Sequence, residues 1–370
     1  MVVNVTAQLN AAAAGASASF CKFKYNKRKQ IIMEFDDAAM SVTTAFDKLE
    51  QTFYTNGCGT NINYALGLAV NGRNQFNNAE FGFYDGYAAT YAQRAPMIKK
   101  GVDIMNHSFY HEEAGNFNYG ADRERNVREL DEMILLKEKY KMNTLVVPTS
   151  WPGFMSEAAA QGYIGGSSQN TFDNFPQRPL YNARGKVEDI PVFTYQAIFR
   201  DFTDIWNNTG VQWNLINALF ADDTFNYFEI GTHGIAKDGQ PENFNTWIDA
   251  IHSLANDGVI FSSLREFLEY IHVHQHVIKT ETIVGNTVKI TLDYSAVPNQ
   301  FIRWFDVSML LNSNAAIINV TTDDNSFAVS FNPETNLINI NKQKLVWGEE
   351  TAPAGPLPEI LVKRGRFTIN

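Results

Sequence analysis

The chain has 370 residues, 45% hydrophobic and 13% aromatic, enough to bury a large core and, at roughly 150 residues per domain, to form about two domains. Its net charge is −10 and its 30 Lys and Arg are scattered, which excludes a basic nucleic-acid-binding stripe, because phosphate contacts supply most of that affinity. Two cysteines, Cys21 and Cys58, exclude a disulfide framework or a Cys-rich zinc module; they could form one bridge or remain small buried apolar residues.

No stretch approaches the ~20 consecutive apolar residues of a membrane span. The run Ala11 to Ala14 lacks the basic residues that open a signal peptide. Residues 30–275 alternate short apolar runs with amphipathic stretches. Ile31-Ile32-Met33-Glu34-Phe35 reads as a buried strand ending in Asp36-Asp37, and Ser41 to Phe53 as a helix with Val42, Phe46 and Leu49 on one face. Tyr64 to Val70 and Gly101 to Met105 read as strands, the second ending at Asn106-His107. Asp122 can cap a charged helix reaching Tyr140, striped by Val127, Leu130, Ile134 and Leu135. Thr144 to Val147 is a strand stopped by Pro148, and Tyr227 to Ile230 is another, followed by Gly231-Thr232-His233. Phe244 to Ala255 and Ser263 to His272 read as helices, with His272, His274 and His276 as a solvated linker beyond.

Alternating strands and helices argue for parallel βαβ units, whose reactive residues sit at the carboxyl ends of the strands. Asp36, Asp37, His107 and His233 all fall just after an expected strand. From about residue 278 the pattern becomes short β runs: Thr282–Val284 and Thr287–Leu292 around Gly285-Asn286, then Phe301–Leu310, Ala315–Thr321, Phe327–Phe331 and Leu337–Ile340. Two domains follow: a barrel-like unit over 1–277, including an N-terminal extension, and an all-β sandwich-like unit over 278–370. Trp304 and Trp347 in the latter could meet a ligand, although tryptophan in a small sandwich more commonly belongs to the core.

The sharpest local feature is His107-Ser108-Phe109-Tyr110-His111. Two histidines four apart on a helical turn project from one face and can grip one metal ion. Asp36-Asp37 offers a carboxylate ligand and, pointing the other way, a carboxylate base; the pair could instead cap the following helix. His233, between Thr232 and Gly234, could be a general acid or an ordinary loop histidine.

Phe35-Asp36-Asp37-Ala38 resembles the Thr-Phe-Asp-Asp-Gly motif of the NodB-like polysaccharide deacetylases, carbohydrate esterase family 4. Gly101 through His111 is similar, nearly position for position, to that family's Gly-x-Glu-Ile-x-Asn-His-Ser/Thr-x-x-His run. The resemblance covers roughly residues 28–270. It implies an irregular (β/α) barrel, often described as seven-stranded, with Asp37, His107 and His111 as ligands of zinc or another divalent ion, Asp36 as base and His233 as acid. It implies removal of N- or O-acetyl groups from an acetylated polysaccharide or oligosaccharide, in the periplasm or outside the cell.

The chain also departs from the pattern. The Arg-x-Pro-Tyr motif corresponds to Val146-Val147-Pro148-Thr149-Ser150-Trp151, with no arginine, although Trp151 and Pro148 could wall a substrate groove. The Asp-Trp pair expected near Ser167 is not visible, the leucine two residues before the acid histidine is Gly231, and the first motif's glycine is Ala38. Three readings follow: a deacetylase, a carbohydrate-binding protein that keeps the metal site without turnover, or an amide hydrolase of the same fold acting on a non-sugar substrate.

Overall fold

The computed structural model describes residues 1–37, 39–74, 78–83, 88–111, 122–150, 153–169, 184–190, 196–202, 216–235, 242–298 and 301–342. Ala38, Trp151 and Trp347 lie outside them.

Among the described residues, the apolar runs of the first three-quarters of the chain form a ten-stranded sheet, parallel except at the short strand Arg184–Gly185. From Lys29–Phe35 the order runs through Gly67–Val70, Asp103–Asn106, Thr144–Val146 and Gly165–Ser168 to Gln196–Phe199. The chain then changes partners within a few residues. Gln196–Phe199 pairs with Gly165–Ser168, while Asp201–Phe202 pairs with Tyr227–Thr232, which itself lies beside Lys29–Phe35. The sheet thus curls into the expected irregular barrel, and Arg200 sits at its closing seam.

Lys29–Phe35 and Tyr227–Thr232 are buried throughout, as parallel strands covered on both faces must be, and Ile31–Met33 and Tyr227–Phe228 within them read as apolar runs. Helices cover the sheet, and Asp122 and Ser263 start two of them as expected, accepting from the Arg125 amide at 3.0 Å and the Glu266 amide at 3.2 Å; a third starts at Thr90, which forms a capping box with Gln93. The helix expected from Ser41 ends at Leu49, because Phe53–Thr55 instead pairs with Asn61–Asn63 as a hairpin. The last helix runs further than expected, over Leu264–His276. The three histidines read as a solvated linker are therefore helical, and His272 is buried, because Ile271 and Val273 continue the apolar stripe of Leu264, Phe267 and Leu268.

The β runs after residue 278 form two four-stranded antiparallel sheets, but they do not form them alone. Val2–Leu9, expected as part of an extension to the barrel, lies between Thr287–Asp293 and Ile317–Thr322; Ser17–Phe20 pairs with Val307–Asn312. The reason is in the period of Val2–Leu9, whose Val3, Val5, Ala7 and Leu9 alternate inward and are fully buried. The chain thus begins in the β domain, passes through the barrel and returns.

A buried polar network joins the two domains. Glu269, on the last helix, receives the backbone amides of Arg303 and Trp304, both at 2.8 Å, and the Arg265 guanidinium at 2.6 Å. Arg265 also donates to the Phe301 carbonyl at 2.7 Å. Trp304 is buried at this junction, with Lys24 and Arg303 over its ring, so it is core and not a glycan platform. Both cysteines are free thiols.

Candidate metal centre at the carboxyl ends of the barrel strands

Asp36 and Asp37 follow the strand Lys29–Phe35, and His107 follows Asp103–Asn106, two positions further round the sheet. Adjacent strand ends of a parallel sheet bring such residues to one mouth. Asp37 Oδ1 stands 3.6 Å from His107 Nε2 and 3.6 Å from His111 Nε2, and the three atoms fall within 4.8 Å of one another. Ligands ~2.0–2.2 Å from a tetrahedral ion stand roughly 3.3–3.6 Å apart, so these atoms suit one divalent ion with positions left open. Asp37 Oδ1 is buried and receives no donor among the described residues, as a ligand atom would. Two imidazoles and a carboxylate suit zinc and several other first-row ions.

The histidines converge without the expected helical turn. Residues 107–111 form a loop in which Ser108 takes a left-handed conformation, φ +68°, held by its amide donating to Asn106 Oδ1 at 2.9 Å. Asn126 secures the far side, its side-chain oxygen accepting from the Tyr110 amide at 2.9 Å. His107 Nδ1 lies 2.9 Å from the Val146 carbonyl, which only accepts, so the proton is on Nδ1 and Nε2 keeps its lone pair for the ion. Burial pushes the His107 imidazole down to about 4, with the neighbouring His111 adding to the effect against the pull of Asp36 and Asp37. Asp37 and Thr149, like Ser108, are non-glycine residues with positive φ, +61° and +48°, and such backbone strain concentrates at functional sites.

Asp36 points into the barrel and is buried. Arg200 grips it with two N–H groups, Nη1 to Oδ1 at 2.7 Å and Nη2 to Oδ2 at 2.6 Å, a bidentate pair of the strong kind. Burial alone would raise the Asp36 carboxyl, but the Arg200 charge and its hydrogen bonds outweigh this and hold it down at about 2. The sequence shows no arginine beside Pro148; the arginine that meets Asp36 comes instead from the closing seam. It also accounts for Gly231. A Cβ built there would lie 2.7 Å from Arg200 Nη1 and 2.8 Å from Cζ, so a leucine and this arginine cannot share the space.

His233 follows Tyr227–Thr232, and its Nε2 is 3.8 Å from Asp37 Oδ2, the oxygen other than the one facing His107 and His111. It is 41% exposed and lies outside the three-ligand group, where an incoming molecule can reach it. Phe202 packs edge-on against its ring, centroids 4.6 Å apart. Arg200 and Phe202, two residues apart on the closing strand, thus touch the candidate base and the candidate acid respectively. Pro148, expected on the groove wall, is buried, and Trp151 falls outside the described residues.

Sequence reasoning missed Arg200, Phe202, Glu34 and Glu229. For the three charged residues the available signal was a charge beside an apolar run, as in Ile198-Phe199-Arg200, Ile32-Met33-Glu34 and Tyr227-Phe228-Glu229; Phe202 offered none.

No family model and no curated protein sequence matches the chain. Among solved structures, it is similar to the peptidoglycan deacetylase of Bacillus subtilis at 14% identity, covering 68% of this chain and 95% of that one, with a TM-score of 0.40. It is similar to a family 4 acetyl xylan esterase from Clostridium thermocellum, solved with a cobalt ion, at 16% identity, 66% and 92% coverage and a TM-score of 0.39. A mutant of a family 4 pseudoenzyme from Bacillus anthracis, with restored activity, shares 12% identity over 65% of this chain and 68% of that one, TM-score 0.35. The chain's strand order is that of an irregular (β/α) barrel of the polysaccharide deacetylase type, and Asp37, His107 and His111 gather at its mouth.

Proposed function

We propose that the protein is a metal-dependent hydrolase that removes acetyl groups from an acetylated polysaccharide or oligosaccharide, in the periplasm or outside the cell. The observation that carries this reading is the bidentate Arg200–Asp36 pair beside the Asp37–His107–His111 group, because a metal-binding protein without turnover has no need of a second, oriented carboxylate.

Asp37, His107 and His111 would hold the ion. When bound, a divalent ion acidifies water to a pKa near 7 and polarises a carbonyl oxygen. Asp36 then serves as the proton acceptor. Its ion pair keeps it ionised across the working range and also makes it a weak base, so its partner must be an acidified water. Arg200 aims the carboxylate by fixing both oxygens. His233, exposed at the mouth, delivers a proton to the departing nitrogen or oxygen of the sugar, and Phe202 sets the plane of its ring.

The competing reading, a glycan-binding protein without turnover, drew on the missing arginine and leucine of the family motifs. Arg200 beside Gly231 supports the enzyme on both counts. The test is acetate release from a panel of N-acetylated and O-acetylated glycans by metal-loaded protein. Acetate that disappears with Asp36→Asn supports the enzyme; glycan binding without acetate, unaffected by that substitution, supports the alternative.

A further inference from the structure

Beneath Asp36 the barrel holds two more acids that the proposed reaction does not use. Glu34 and Glu229 each interrupt an apolar strand, and both are fully buried. Their strands are adjacent and parallel, with Glu229 opposite Ile32 and Gly231 opposite Glu34, so the two carboxyls are diagonal neighbours on one face. Glu34 Oε2 accepts from Ser167 Oγ at 2.6 Å and from Arg200 Nη1 at 3.1 Å. Glu34 Oε1 and both Glu229 oxygens receive no donor among the described residues, and Ser167, which stands beside both acids, has a single proton already aligned on Glu34.

Two ionised carboxylates cannot lie side by side in a dry interior when the one cation they meet among the described residues, Arg200, is shared with a third carboxylate, Asp36. One proton between them gives Glu229 a donor and Glu34 an acceptor. We propose that Glu34 and Glu229 share a proton, and that this pair anchors the back of Arg200 and thereby positions Asp36; the kinetic consequence, but not the shared proton, rests on the deacetylase reading. Burial is the largest influence on both acids, raising each above the usual carboxylate range, Glu229 well above it because the negative charge of Glu34 adds to the effect. Glu34 and Glu229 are positioning residues acting through Arg200, with Ser167 fixing the orientation of the first.

Infrared spectra of the full chain at neutral pH provide a readout independent of activity. The wild type should show the carbonyl stretch of a protonated carboxylic acid, and Glu229→Gln should lack it; a wild type without that band overturns the proposal, whatever the protein hydrolyses. In the acetate assay, Glu34→Gln should lower kcat about tenfold, with KM within about twofold and metal content unchanged. Glu229→Leu, which cannot donate, should do the same, while Glu229→Gln, which carries a fixed donor, should restore most of kcat. Equal kcat in the Gln and Leu variants at position 229 would show that the pair does not act on Arg200.

Discussion

The Arg200 guanidinium fills the space that a side chain at Gly231 would need, its Nη1 lying 2.7 Å from the ideal Cβ position there. The departures beside Pro148 and before His233 thus have one spatial explanation in this chain. The arginine enters from the strand that closes the barrel, and the neighbouring strand gives up its side chain to admit it.

Gly231→Leu should accordingly displace Arg200 and release Asp36. Misplacing a catalytic group by about 1 Å costs roughly 10²-fold, so acetate release should fall by about that factor while the protein still binds metal. Arg200→Lys, which cannot make the bidentate pair, should fall similarly. Unchanged turnover in Gly231→Leu would mean that the arginine has room to retreat without losing Asp36.

Removing the ligands should separate from removing the base. Asp37→Ala and His107→Ala should lose the bound ion and activity together, measured by metal analysis and acetate release. Asp36→Asn and His233→Ala should keep the ion and lose roughly 10²-fold or more in rate, the usual scale of general acid–base catalysis. A His233→Ala protein that loses its metal would make His233 a ligand and not the acid.

The metal-free protein should lose stability in mild acid through His107. Its folded imidazole is depressed to about 4 by burial, against about 6.5 when unfolded, so the unfolded chain binds the proton more tightly. The contribution is fully present above about pH 6.5 and is lost as pH falls toward 4; a shift of this size corresponds to on the order of 3 kcal/mol. Thermal melts of metal-free wild type between pH 7 and 4 should fall more steeply than those of His107→Gln, and parallel curves would contradict the assignment.

A barrel cut after residue 277 should fail to fold stably. Glu269 would lose the amides of Arg303 and Trp304, Arg265 would lose the Phe301 carbonyl, and Val2–Leu9 would lose both neighbouring strands. Leaving a buried group without its hydrogen-bond partner costs about 1–3 kcal/mol, so several together are a large share of a domain's stability. A cooperative melt of the 1–277 fragment near that of the full chain would refute this.

The sequence by itself determined the features that depend on neighbours along the chain. The apolar runs, the Asp122 cap, the carboxylate pair after one strand and the paired histidines after another are local patterns, and the structure puts Asp37, His107 and His111 together as their positions at strand ends require. Tertiary structure decided what depends on residues far apart. Arg200 reaches Asp36 across 164 positions because the closing strand changes partners at that residue, a pairing that hydrophobic period cannot express. Val2–Leu9 shows its strand character in its own alternation, but its membership of the β domain follows only from partners near residues 290 and 320. A strand's period reports which face is buried; which strand lies beside it is settled by the packing of the whole chain.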